Sequence, residues 1–174
     1  VNTILAKRIN HIVAKGDNLF GQRGQSRVAF PYTKEYESQP EAILTNVIIC
    51  PAVDLSANVA VPVHCQVENV LWDTGATNTL ISQEVVNALG LQPKNKALIS
   101  SAGGDVESWT YLVHVILPTG TAELNVQALL NDNSDYDVVI GMDIINSCDF
   151  CYTNKDGKST FSLCHPAKEK IILK

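Results

Sequence analysis

Val70-Leu71-Trp72-Asp73-Thr74-Gly75-Ala76-Thr77 is the stretch on which the reading of this chain turns. Three apolar residues deliver a carboxylate straight into a tight turn that opens with a small hydroxyl residue, then Gly and Ala. Burial alone would raise an aspartate's pKa and neutralise it. A carboxylate kept there needs hydrogen bonds, and the close backbone approach allowed at Gly75 can supply N–H donors. Asp-Thr-Gly by itself is also an ordinary turn after a strand, since Asp and Gly are common turn formers. The flanks decide between the two. Turn aspartates usually have polar neighbours, whereas Asp73 lies between Val70-Leu71-Trp72 and a segment running through Ala76 to Leu80-Ile81. Asp73 is therefore expected in the core rather than at a loop tip.

Outward from this stretch the pattern is β. Ile43–Cys50, Val59–Cys65 and Val67–Trp72 are strand-like runs, the first ended by Pro51. Ser82 can cap a short helix through Val85, Val86 and Leu89, and Gly90 is placed to end it. Ala97–Ser101 and Ser108–Leu117 flank a turn at Ala102-Gly103-Gly104-Asp105, which reads as a hairpin. Pro118-Thr119-Gly120 turns the chain into Ala122–Leu130, and a second brief helix is expected near Met142. Asn154 to Lys158 reads as a hairpin turn. Many short strands separated by turn signals predict an all-β, barrel-like domain with one or two short helices.

Residues 1–41 differ and are read as an extension or linker, with a short amphipathic helix over Val1, Ile4, Leu5, Ile9, Ile12 and Val13. Residues 42–174 form the expected main domain. The 174 residues are enough for one domain with a core, 45% being hydrophobic. Residues 1–40 carry six basic and three acidic side chains, against seven and fifteen in the remainder, for a net charge of −5 overall. An acidic body points away from nucleic acid. No apolar run approaches the roughly 20 residues of a membrane-spanning helix. No secretory signal is visible, so the cytoplasm is the default expectation, with room for an upstream segment before Val1.

Two motifs together resemble the retropepsin-like aspartic proteases. Leu71-Trp72-Asp73-Thr74-Gly75-Ala76 matches that family's apolar pair followed by Asp-Thr-Gly-Ala. Val138-Val139-Ile140-Gly141-Met142-Asp143-Ile144-Ile145 matches its downstream signature of aliphatic residues and Gly leading into a short helix. Ala102-Gly103-Gly104 lies where the family has a glycine-rich flap, although Ser100-Ser101-Ala102 lacks the large flap side chain of some relatives. The resemblance covers residues 42–165. It implies a closed β-barrel acting as a twofold homodimer on peptide or protein substrates, without cofactor or metal. Asp73 would be the catalytic aspartate. Thr74 would bond across the dimer, Gly75 would allow the loop geometry, Ala76 would pack beneath it, and Ile140-Gly141 would hold the loop rigid. Ala102, Gly103 and Gly104 would close over substrate.

Aspartic proteolysis needs two carboxylates sharing one proton, yet the chain holds a single Asp-Thr-Gly and no Asp-Ser-Gly. One chain thus supplies half a dyad, and a twofold partner would supply the other. Three other readings compete. Cys148, Cys151, Cys164 and His165 have tolerable spacing for zinc, but a two-residue gap within a strand splays its ligands. A cysteine hydrolase would pair one of five cysteines with His64, His114 or His165, but none has an activating Gly-flanked helix start. A catalytically weak or inactive binding module of the same fold is the third.

Overall fold

A computed structural model of the chain describes residues 9–10, 31–53, 63–101, 104–131 and 135–172. Its strands and helices, in chain order, are β1 (Ile9–Asn10), β2 (Tyr32–Tyr36), β3 (Leu44–Pro51), β4 (Cys65–Trp72), β5 (Leu80–Ile81), α1 (Gln83–Leu89), β6 (Lys96–Ser101), β7 (Gly104–Ile116), β8 (Ala122–Leu130), β9 (Val138–Ile140), α2 (Met142–Ile145), β10 (Asp149–Lys155) and β11 (Lys158–Cys164). Among the described residues the chain is mostly β, with two short helices.

β4 is the organising strand. Cys65 and Val67 point inward in its first half and Val70 and Trp72 in its second, each pair two residues apart as on one face of a strand. The phase shifts between them at Asn69, whose φ is 57° and where the pairing with β3 slips register. On one side β4 pairs antiparallel with β3, which pairs with β7, which pairs with β8. β8 runs parallel to β5, β5 antiparallel to β9, and β9 parallel to β4 at Leu71–Trp72. The ladder thus returns to the strand from which it started. Val67, Val70, Ile81, Val113, Val115 and Ile140 are fully buried inside it.

β7 is long because it does two jobs. Its second half, from Thr110, is buried and pairs with β3 and β8. Its first half leaves the body and pairs only with β6, in register from Lys96↔Trp109 to Ser101↔Gly104. That projecting hairpin is the one read from Ala97–Ser101 and Ser108–Leu117, but it turns more tightly, because Gly104 and Asp105 already belong to the strand. Ala102 and Gly103 lie outside the described residues.

Local signals placed α1 correctly. Ser82 accepts a hydrogen bond from the Val85 N–H, and Gly90 ends the helix at φ 60°. Val85, Val86 and Leu89 face the core. Asp156 and Gly157, at φ 52° and 79°, make the tight β10–β11 turn as expected of Asp-Gly between strands.

Three local expectations change. β4 is one strand from Cys65 to Trp72, with no break at Gln66, while residues 54–62 lie outside the described residues. Ile9–Asn10, expected in a helix, pairs with Gln66 and Val67, where the edge of β4 beyond β9 offers backbone partners; the rest of that expected helix lies outside the described residues. Tyr32–Tyr36, within the segment read as an extension, forms the third strand of a sheet ordered β10-β11-β2. That sheet packs Phe161 and Leu163, both almost wholly buried, against the core. Among the described residues no helix is long and apolar enough to cross a membrane.

Candidate active site

Asp73 follows directly on β4, and its backbone N–H donates to the Ile140 carbonyl at 3.0 Å. The preceding residue anchors it from below. Trp72 is 4% exposed, its indole N–H donates to Thr45 Oγ1 at 2.9 Å, and its ring lies 5.6 Å from Phe161 and 5.9 Å from Phe150. A strand end fixed by both ladder and ring packing gives the carboxylate a defined origin.

The turn then folds back on the carboxylate. Gly75 N–H donates to Asp73 Oδ1 at 2.8 Å and Ala76 N–H to the Asp73 carbonyl at 3.2 Å. A Cβ on Gly75 would stand 3.1 Å from that same Oδ1, so the missing side chain is what allows the approach. Asp73 itself is half-buried, while Thr74, Gly75, Thr77 and Asn78 are exposed. This corrects the expectation of a core position. Val70, Trp72 and Ile81 on its flanks are buried, but β4 ends at the surface and the polar loop lies beyond that end.

The loop is bound to α2 by backbone groups. Met142 N–H donates to the Ala76 carbonyl at 2.8 Å and Asp143 N–H to the Thr77 carbonyl at 3.1 Å. These are first-turn N–H groups with no partner inside their own helix, and Gly141 offers no capping side chain. The loop therefore caps the helix. Asp143 adds a second clasp: Oδ2 accepts the Thr79 N–H at 3.0 Å and Oδ1 the Thr79 hydroxyl at 2.8 Å. Thr79 is fully buried, and its Oγ1 in turn accepts the Gly141 N–H at 3.3 Å. Gly141 has no room for a side chain, since a Cβ there would sit 2.5 Å from the Asn78 carbonyl atoms and 3.0 Å from the Ala76 oxygen.

The structure thus brings together Asp73, Thr74, Gly75, Ala76, Ile140 and Gly141. Of the flap residues only Gly104 is described, at the start of β7 with φ 107°; Ala102 and Gly103 lie outside the described residues. Asp143, part of the downstream motif, is tied to Thr79, and nothing in the sequence pairs the two.

A cavity of about 500 Å³ opens beside Asp73, lined also by Glu41, Ile43, Leu71, Tyr136 and Tyr152. A second, of about 360 Å³, lies against β10 and β11 and includes Cys151, Leu163, Cys164 and Ile171; it does not contain Asp73. All five cysteines are free thiols. Burial pushes Cys50 and Cys148 up to about 11 and Cys65 to about 12, which makes these thiols poor nucleophiles near neutrality. His114 accepts the Asn125 N–H at Nδ1 and reaches the Val53 carbonyl through Nε2, and His165 bonds Thr121 and Glu123. Among the described residues no three His, Cys, Asp or Glu side chains gather as a metal site.

The model for the family described as "gag-polyprotein putative aspartyl protease" matches residues 59–147, just over half of the chain, including both motifs. The chain belongs to the retropepsin-like aspartyl protease family. Solved structures similar to this retropepsin-like chain include the EIAV protease complexed with the inhibitor HBY-793, 24% identical over 61% of this chain and 86% of that one, at a TM-score of 0.41. Another is a retropepsin-like aspartic protease from Rickettsia conorii, 12% identical over 78% of this chain and 96% of that one, at 0.43. No curated protein matches the chain.

Proposed function

We propose that this chain is an aspartic endopeptidase whose working unit is a homodimer, with one Asp73 from each copy. The observation that carries this reading is the single Asp-Thr-Gly loop, held rigidly from beneath by Ile140, Gly75 and α2 yet exposed at its tip. A rigid loop with an open outer face suits a second copy approaching along a twofold axis.

In such a dimer the two Asp73 carboxylates lie close enough that both cannot ionise easily, and they share one proton. The ionised group takes a proton from water as that water attacks the scissile carbonyl, and the protonated group hydrogen-bonds and then protonates the carbonyl oxygen. Thr74, exposed beside Asp73, would bond the partner's loop. The β6–β7 hairpin would cover a bound peptide, Ala102, Gly103 and Gly104 being the residues proposed for that flap. The ladder that returns to β4 supports a closed barrel beneath this site.

The test is peptide hydrolysis by purified protein and by Asp73→Asn, each across a dilution series with mass measured by sedimentation. Cleavage per chain should rise with dimer fraction and vanish in Asp73→Asn. Full activity in that variant, or in a strictly monomeric sample, overturns the assignment. Dimers that never cleave in an Asp73-dependent way favour a binding module instead.

A further inference from the structure

The cavity beside Asp73 combines apolar, aromatic and acidic lining residues. Ile43 and Leu71 give it aliphatic wall, Tyr136 and Tyr152 line it as well, and Glu41 lies exposed among its lining residues. The ionisable carboxylates on it are Glu41 and Asp73, and no Lys or Arg lines it among the described residues. Lys34, on β2, directs its ammonium to the Leu44 carbonyl at 2.9 Å and over the Tyr36 ring at 5.1 Å.

An occupant matching these surfaces has a long apolar stem and a cationic head. The stem lies along Ile43 and Leu71, as Lys and Arg stems do on apolar surface. Tyrosine ring faces attract a cation, and Glu41 pairs with it. The acidic balance of residues 41–174, fifteen acidic side chains against seven basic, adds long-range attraction for a basic peptide.

Resting on the reading of Asp73 as the catalytic group, we propose that this cavity is a specificity subsite for a Lys or Arg side chain of the substrate, with Glu41 as the selecting residue. Twofold symmetry would present the same subsite on both sides of the scissile bond. Glu41 is exposed, and an exposed ion pair contributes up to about 1 kcal/mol, so the expected selectivity from charge is up to about fivefold in kcat/KM.

The experiment profiles cleavage of a peptide library by the full chain, with Asp73→Asn as the subtracted background. Matched peptides carrying Lys or norleucine at the enriched position are then compared in wild type, Glu41→Gln and Glu41→Lys. The expected result is Asp73-dependent cleavage enriched for Lys or Arg. The Lys-to-norleucine ratio should fall severalfold in Glu41→Gln and further in Glu41→Lys. Asp73-dependent cleavage without basic enrichment, or with a ratio indifferent to Glu41, overturns the subsite and leaves the protease reading standing. Absence of any Asp73-dependent cleavage overturns both.

Discussion

Gly141 is the tightest point beneath the candidate catalytic loop. Its φ of −96° is open to any residue, so the requirement for glycine there is purely one of space. A Cβ would press on the Asn78 backbone carbonyl at 2.5 Å, and backbone held by Thr79 and α2 cannot swing aside as a side chain could. Gly141→Ala should destabilise the fold by about 3 kcal/mol, the upper range for overpacking. Gly90 makes the natural control: it has open space around a would-be Cβ but sits at φ 60°, where Ala costs about 1 kcal/mol of backbone strain. Urea unfolding of both variants separates the two causes. A Gly141→Ala loss no larger than that of Gly90→Ala would mean the loop yields, and that its rigidity has been overstated.

Helix α1 shows how little of a short element's stability is its own. Seven residues are far below the length at which an isolated helix persists in water, so α1 exists because Val85, Val86 and Leu89 are buried and because its ends are satisfied. Ser82 does two things at the N-terminus: its oxygen accepts the Val85 N–H at 3.2 Å and its hydroxyl donates to Asp137 Oδ1 at 3.0 Å. Asp137 immediately precedes β9, whose last residue holds Asp73, so the cap also links the helix to the strand under the site. Ser82→Ala should cost about 1 kcal/mol or somewhat more, lowering the thermal midpoint by roughly 2–4 °C per kcal/mol for a chain of this size. Ser82→Thr keeps the hydroxyl and should retain most of that stability. Equal losses in Ala and Thr would show that the hydroxyl contributes nothing.

At the scale of the whole molecule, the buried thiols Cys50 and Cys65 and the partly buried Cys148 give stability an alkaline limit. Burial raises Cys50 and Cys148 to about 11 and Cys65 to about 12, whereas unfolded thiols ionise near 8.5. Below that value both states hold their protons and the contribution is complete. As pH rises further the unfolded chain releases protons first, so folding stability falls from about pH 9 until the folded thiols ionise as well. Tyr32 and Tyr36, both raised chiefly by burial, act in the same direction at still higher pH. Denaturant unfolding between pH 7 and 11 should show this decline, with a shallower slope in Cys65→Ala. Stability constant or rising from pH 9 to 11 would remove the explanation.

Much of this architecture is written in short-range chemistry. The Asp73-Thr74-Gly75 turn, the Ser82 and Gly90 caps and the Asp156-Gly157 hairpin each act through residues a few positions apart, and they can be read in order along the chain. Partnerships across long separations cannot. The Thr79–Asp143 clasp spans 64 residues, β2 joins β11 from the far end of the sequence, and Glu41 reaches the Asp73 cavity together with Tyr152. Such partners are chosen by the total surface buried when every element is in place, a sum no local window contains. The exposure of Asp73 belongs to the same class. The sequence by itself determined a carboxylate on a rigid apolar strand end, because turn chemistry and side-chain period are local. Only the tertiary structure decided that this strand ends at the surface and which residues wall the cavity beside it.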